Sequence, residues 1–350
     1  MIITTLLIFF VILSILVLVH ELGHFLTAKF FGVKVEEFGL GLPPRLFGFS
    51  FRETIYSLNL LPIGGFVRLA GEEENKNLPR EFNSQKTLVK ASIVMAGVLL
   101  NLIFGFSLLS LGIAKIGMPE IATHFEITKV AKDSPAQIAG LLPNDEIISI
   151  DNQGLENDEA LTNLIKSKAG GKILIVVSRM KKSFTFEIVP RINPPAGQGA
   201  LGVTYASSAE VTYKKIALQD VPLKGLGETV NLVGMMFDGL KNMLNEAIFQ
   251  RKMPQDVAGP VGIAKITGQV AKGGIWQIIN FMALLSFNLG VINMLPFPGL
   301  DGGRFLFVIL EKVLGQRFNL GVQTFINSVG IAILLFLMAI VTYFDIVRSF

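Results

Sequence analysis

Residues 2–24 read IITTLLIFFVILSILVLVHELGH, and this stretch decides what kind of molecule the chain is. Its first part, Ile2 to Val19, carries no charge and is long enough, at about 20 residues per span, to cross a bilayer as a helix. A secretory leader is the rival reading. No basic residues precede the apolar run, and His20-Glu21-Leu22-Gly23-His24 offers no small-residue cleavage site, so the segment is read as an uncleaved span. Two histidines four residues apart project from one helix face and can reach one zinc ion. Glu21 lies beside that face, where a carboxylate can take the proton from a water attacking a carbonyl. Three ionisable groups at the end of a membrane span are costly unless they act together.

The rest of the composition agrees with a bilayer as solvent: of 350 residues 51% are hydrophobic and only 17% charged, with a mean hydropathy of +0.57. The net charge of +4 comes without a long basic run or interleaved aromatic platform, so neither a nucleic-acid nor a nucleotide partner is expected. The absence of cysteine excludes disulfide frameworks, thiolate zinc sites and cysteine nucleophiles. An imidazole-based metal site must draw on His20, His24 and His124.

Three more apolar runs follow, Ala91 to Ile113, Ile278 to Leu295 and Phe325 to Phe344, and four spans put both termini on one side. Lys29, Lys34, Arg45, Arg52, Arg68, Lys76, Arg80, Lys86 and Lys90 lie between spans one and two, with Arg304, Lys312 and Arg317 between spans three and four. The positive-inside rule makes that side cytosolic, leaving the termini and the long segment between spans two and three extracytoplasmic.

Between spans one and two, Phe49 to Leu61 and Phe66 to Leu69 read as strands joined by a turn at Pro62-Ile63-Gly64-Gly65, a membrane-associated β-hairpin sheet. Glu126 to Arg191 reads as a small mixed α/β domain. Its strands are expected at Glu126–Val130, Glu146–Ile150, Ile173–Val177 and Phe184–Val189, with helices after Ser134-Pro135 and near Asp158–Lys166. Here Asp133-Ser134-Pro135-Ala136-Gln137-Ile138-Ala139-Gly140-Leu141, followed by Asn144-Asp145-Glu146-Ile147-Ile148, resembles the signature of bacterial PDZ domains. A linker follows Pro194-Pro195-Ala196-Gly197. Leu223 to Ile248 then has helical spacing suited either to the outer membrane surface or to packing on that domain.

A catalytic zinc site normally has three protein ligands and one open position. An extended zinc-helix pattern would need glycine at 27 and histidine at 30, where Thr27 and Phe30 stand. His124 falls in the outer linker, on the far side of the membrane, and reads as a surface or packing residue. A carboxylate is therefore expected, and Asp301 in Asn293-Met294-Leu295-Pro296-Phe297-Pro298-Gly299-Leu300-Asp301-Gly302-Gly303 ends span three on the same side as His24. The depths agree, since His20 lies roughly 27 Å along a helix starting at Ile2, near the inner edge of a hydrocarbon core about 30 Å thick.

With these residues together, the chain resembles the bacterial site-2 protease family, of the RseP type with a single PDZ domain, over nearly its whole length. The resemblance rests on His20-Glu21-x-x-His24, Leu61 to Leu69, Ala96-Gly97-Val98-Leu99-Leu100-Asn101, the PDZ signature, Gly259-Pro260-Val261-Gly262-Ile263-Ala264 and Asn293 to Gly303. It implies one zinc per chain on His20, His24 and Asp301, with Glu21 catalytic. It also implies Asn288 and Asn293 in the substrate region, and strand-like substrate docking on the cytosolic-side sheet around Gly65. Val98 departs from the family pattern, which usually has proline there.

The fold expected is thus an α-helical polytopic membrane protein of four transmembrane helices, with the β-hairpin sheet and an inserted extracytoplasmic PDZ-like α/β domain. Its parts are a first helix with the histidines (1–30), the β region (31–90), a second helix (91–114), the PDZ-like domain (115–192), linker and surface helix (193–276), a third helix with the Asp301 motif (277–303), and a connection with the fourth helix (304–350). The implied activity is cleavage of single-span membrane proteins, such as anti-sigma factors and remnant signal peptides, in the cytoplasmic (inner) membrane with the active site near the cytosolic side. A metal-binding scaffold that does not hydrolyse is the competing reading; Glu21 argues against it, since a structural site needs no general base.

Overall fold

The computed structural model describes residues 2–72, 78–155, 157–195, 197–246, 249, 258–315 and 319–349. Lys76, Ala196, Ile248 and Arg317, used in the sequence reading, lie outside them. The chain forms two compact units, one of residues 1–115 with 217–350 and one of residues 116–216.

The first unit opens with helix α1, Ile2–Phe30. It runs well past Val19 because no breaker occurs before Gly32, whose φ of +74° ends the helical course. The His20–His24 pair therefore sits inside a continuous helix, one turn apart. Two strands follow, β1 (Val35–Phe51) and β2 (Thr54–Leu69), forming a two-stranded sheet. The first half of β1 has partners in both halves of β2: Glu37 faces Ile55 and Arg68, and Leu40 faces Leu58 and Gly65. The Pro62–Gly65 stretch expected as a turn is thus where β2 changes course while staying in the sheet, and the tight turn of the hairpin falls at Arg52-Glu53 instead. Glu53 anchors that turn, accepting from Lys29 Nζ (3.0 Å) and from both terminal nitrogens of Arg80 (2.8 and 2.7 Å). Those hydrogen bonds hold its carboxyl down at about 2. Helix α2, Thr87–Ile116, then returns along α1. The two helices meet at glycines, for a Cβ on Gly23 would lie 2.4 Å from the Ala96 carbonyl oxygen. Ala28, Val33, Val35, Leu69, Phe82, Ile93 and Val94 form one buried cluster that binds the end of α1, the sheet and α2 into a single wall.

The second unit contains β3 (Met118–Val130), α3 (Pro135–Ala139), β4 (Glu146–Ile150), β5 (Gln153–Gly154), α4 (Asp158–Ser167), β6 (Ile173–Arg179), β7 (Lys182–Ile188) and β8 (Val203–Lys214). Its sheet has the order β7-β6-β4-β3-β8, with β5 on β4. Ser134 Oγ caps α3 by accepting from the Gln137 N–H, and Asn157 caps α4. Phe125, Ile127, Leu141, Ile150, Leu161 and Ile175 fill the core. Asp145, fully buried, accepts two hydrogen bonds of 2.7 Å from Arg179 and one of 2.8 Å from the Leu142 N–H. Strand β8 lies in the stretch expected as linker: it pairs with β3 from Met118↔Lys214 to Val130↔Val203, so this unit extends beyond residue 192.

The chain then re-enters the first unit through α5 (Val221–Asn245), α6 (Pro260–Lys272), α7 (Ile275–Asn293), α8 (Asp301–Leu314) and α9 (Leu320–Ser349). The Asp345 carboxylate on α9 accepts from the Gly262 N–H in the first turn of α6 (2.7 Å), satisfying a donor that a helix start leaves open. Among the described residues four helices are long and apolar enough to cross a membrane, Ile3–Phe30, Thr87–Ile116, Ile275–Asn293 and Leu320–Val347. Their outward side chains, Leu18, Ile103, Leu284 and Phe336 among them, are exposed apolar groups suited to lipid.

Candidate metal centre

Four segments of the first unit converge on one point. Helix α1 supplies His20 and His24 one turn apart, as the i, i+4 spacing requires. The break after α7 delivers Asp301 as the first residue of α8. Two glycines make that arrival possible: a Cβ on Gly302 would stand 2.2 Å from the Leu295 carbonyl oxygen, and one on Gly303 2.2 Å from that of Phe297. His20 Nε2 lies 2.9 Å and His24 Nε2 3.1 Å from Asp301 Oδ2, and the two Nε2 atoms are 3.2 Å apart. All three residues are buried.

His24 Nδ1 donates to the Ile93 carbonyl oxygen at 2.8 Å. Its Nε2 therefore carries the lone pair, aimed at a carboxylate oxygen that is itself an acceptor. Asp301 Oδ2 is among the buried atoms that find no hydrogen bond. Acceptors crowded to about 3 Å are reconciled by a cation between them. The separations of 2.9–3.2 Å approach the edge of about 3.3 Å that a tetrahedral zinc set has at metal–ligand distances of about 2.0–2.1 Å. Two imidazoles and a carboxylate are a catalytic zinc donor set with a fourth position open, so the residues present fit the metal. Among the described residues no other group of three or more such side chains has its ligand atoms this close.

A cavity of about 220 Å³ is lined by His20, Glu21, His24, Gly65, Asp301 and Arg304 with apolar neighbours. Glu21 thus shares the cavity with the three converging side chains, and Gly65 brings the sheet to its edge. Arg304 pairs with Glu72 on the same wall. A larger cavity of about 570 Å³ adjoins it, sharing Phe66, Val67, Glu72, Phe82, Val94 and Arg304.

Asn288 is exposed on α7 and Asn293 half-buried at its end, and neither is among the lining residues of this cavity. His124 belongs to the second unit, where it pairs with Glu146 and sits 3.7 Å from Glu210. Sequence reasoning gave no individual part to Gly97, Asn101 and Arg304. Gly97 leaves room for the imidazoles and Asn101 touches His20 at 3.1 Å. An amide inside an apolar span signals that Asn101 needs a hydrogen-bond partner, without saying which.

The sequence profile of peptidase family M50 matches residues 8–337. A Clostridium acetobutylicum protein named as a zinc metalloprotease is 34% identical over 336 residues, spanning 95% of this chain and 95% of its own. A similarly named Nostoc protein is 31% identical over 337 residues, 93% of this chain and 91% of its own. The chloroplastic membrane metalloprotease ARASP of Arabidopsis thaliana is 30% identical over 343 residues, 93% of this chain and 75% of its own. With that coverage, and with apolar helices around a zinc-type donor set, the chain belongs to peptidase family M50, the site-2 protease family, and is a membrane zinc metalloprotease.

Proposed function

We propose that His20, His24 and Asp301 hold one zinc ion and that Glu21 is the catalytic base of an intramembrane endopeptidase acting on single-span membrane proteins. The observation that carries this reading is the meeting of those three side chains within hydrogen-bonding distance in a cavity that Glu21 also lines. Zinc, when bound, supplies a Lewis acid for the scissile carbonyl and acidifies the attacking water. Glu21 accepts the proton of that water at its carboxylate and returns it to the leaving amine. Apolar neighbours Val67, Leu69, Phe82, Ile93 and Val94 exclude bulk water and strengthen the charge interactions inside.

A helical substrate hides its peptide bonds in its own hydrogen bonds, so cleavage needs local unwinding. The unwound segment is proposed to add to the sheet beside Gly65, with the adjoining 570 Å³ cavity giving the peptide room and Asn288 and Asn293 meeting substrate outside the small cavity. The Ile116–Ile216 unit is proposed as a PDZ-like filter on the extracytoplasmic side with both termini. The active site then lies toward the cytosolic side of the cytoplasmic membrane, an arrangement suited to regulated intramembrane proteolysis of anti-sigma factors or remnant signal peptides. The basic residues between spans one and two support this orientation.

The test is reconstitution with a tagged single-span substrate, comparing wild type, Glu21→Gln, Asp301→Ala and wild type with a zinc chelator. Cleavage by untreated wild type alone supports the reading; equal cleavage by all four removes it.

A further inference from the structure

His20 and His24 face Asp301 through Nε2, and α2 meets the Nδ1 of each. For His24 the partner is the Ile93 carbonyl oxygen, which only accepts, so the proton sits on Nδ1 and the lone pair on Nε2. For His20 the partner is the side-chain amide of Asn101 at 3.1 Å. Asn101 is fully buried, and its backbone carbonyl accepts from Ser286 Oγ of α7 at 2.8 Å, which pins this turn of α2 in place. With Nδ2 turned to the imidazole, Oδ1 is left buried without a hydrogen bond. His20 would then carry its proton on Nε2, pointing at Asp301 and His24 and away from any use as a ligand. Turning the amide by half a revolution exchanges two atoms of nearly equal size and places Oδ1 on Nδ1.

We propose that Asn101 is the positioning residue of His20, its Oδ1 accepting from Nδ1–H so that the Nε2 lone pair joins those of His24 and Asp301. The inference rests on the metal site proposed above. Helix α2 then fixes both imidazoles while contributing no ligand, one through a main-chain carbonyl and one through a side-chain amide. An outer partner of this kind is worth about 10–100-fold in metal affinity.

The experiment uses full-length protein in detergent, loaded with zinc, and measures zinc per chain and its rate of transfer to a coloured chelator for wild type, Asn101→Leu, Asn101→Asp and His20→Ala. Asn101→Leu, which fills the space without an acceptor, should release zinc about 10–100-fold faster. Asn101→Asp, which keeps the acceptor, should release it no faster than wild type. Wild-type release by Asn101→Leu overturns the proposal, as does fast release by Asn101→Asp; the second variant decides alone if the first does not fold. Zinc retained by His20→Ala at the wild-type rate removes the metal-site reading itself, and the two failures are thereby told apart.

Discussion

A Cβ placed on Gly97 would stand 2.4 Å from His24 Nε2 and 2.8 Å from His20 Cε1, so α2 lacks a side chain where α1 presents its imidazoles. Gly97→Ala is expected to push both rings off Asp301, lowering bound zinc at least about tenfold and abolishing cleavage. Metal analysis of the purified variant checks this, and a zinc-replete Gly97→Ala would refute it.

Gly65 stands in the same relation to the candidate base. Its Cβ would lie 3.0 Å from Val17 Cγ1 and 3.1 Å from Glu21 Cγ. Gly65→Val should displace the Glu21 carboxylate and reduce turnover by about 10²-fold, the scale of a misplacement near 1 Å, while zinc content stays at one per chain. Turnover and metal measured on one preparation separate this outcome from that of Gly97→Ala.

Lys90 of α2, buried, and Glu311 of α8, partly buried, form an ion pair at 2.5 Å, with Gln323 also donating to Glu311. Lys90→Met strands the carboxylate and should cost about 3 kcal/mol; Lys90→Met with Glu311→Leu should recover most of that, because a buried pair replaced whole by apolar groups is often neutral. Thermal unfolding of the three proteins in one detergent supplies the comparison.

In the second unit, burial pushes the Asp145 carboxyl up, but the Arg179 hydrogen bonds, the Leu142 N–H and the Arg179 charge outweigh it, and the net shift is downward. A carboxyl depressed by folding contributes stability that is complete above its unfolded pKa of about 3.9 and is lost as the pH falls toward its folded value. Amide protection across residues 116–216, taken relative to the intrinsic exchange rate at each pH, should therefore fall below about pH 4 in wild type. The Asp145→Asn protein should be less protected at neutral pH and show less of this acid dependence.

Much of the architecture was legible because its signals are local. Apolar length marked the four spans, and the i, i+4 histidines needed only one helix. Asp301 required a longer argument, from the Pro/Gly-broken segment and from which side of the membrane each span ends on, and the structure brings it to 2.9 Å from His20. Strand β8 escaped because its partner β3 is far away in sequence, with Met118 facing Lys214. The parts of Gly97, Asn101 and the Ile93 carbonyl depend on which way α2 is rotated against α1. A helix that is apolar nearly all round carries no stripe to announce it.

The order in which the centre is made has a consequence for the life of the chain. Its histidines and candidate base belong to the first helix, whereas its third converging side chain opens α8, roughly 280 residues later, a delay of about 15–55 s at ordinary synthesis rates. Throughout that interval the growing polypeptide carries the paired histidines without the carboxylate that they meet in the folded chain. Placing the aspartate last makes completion of the α7–α8 connection the step that brings the three side chains together.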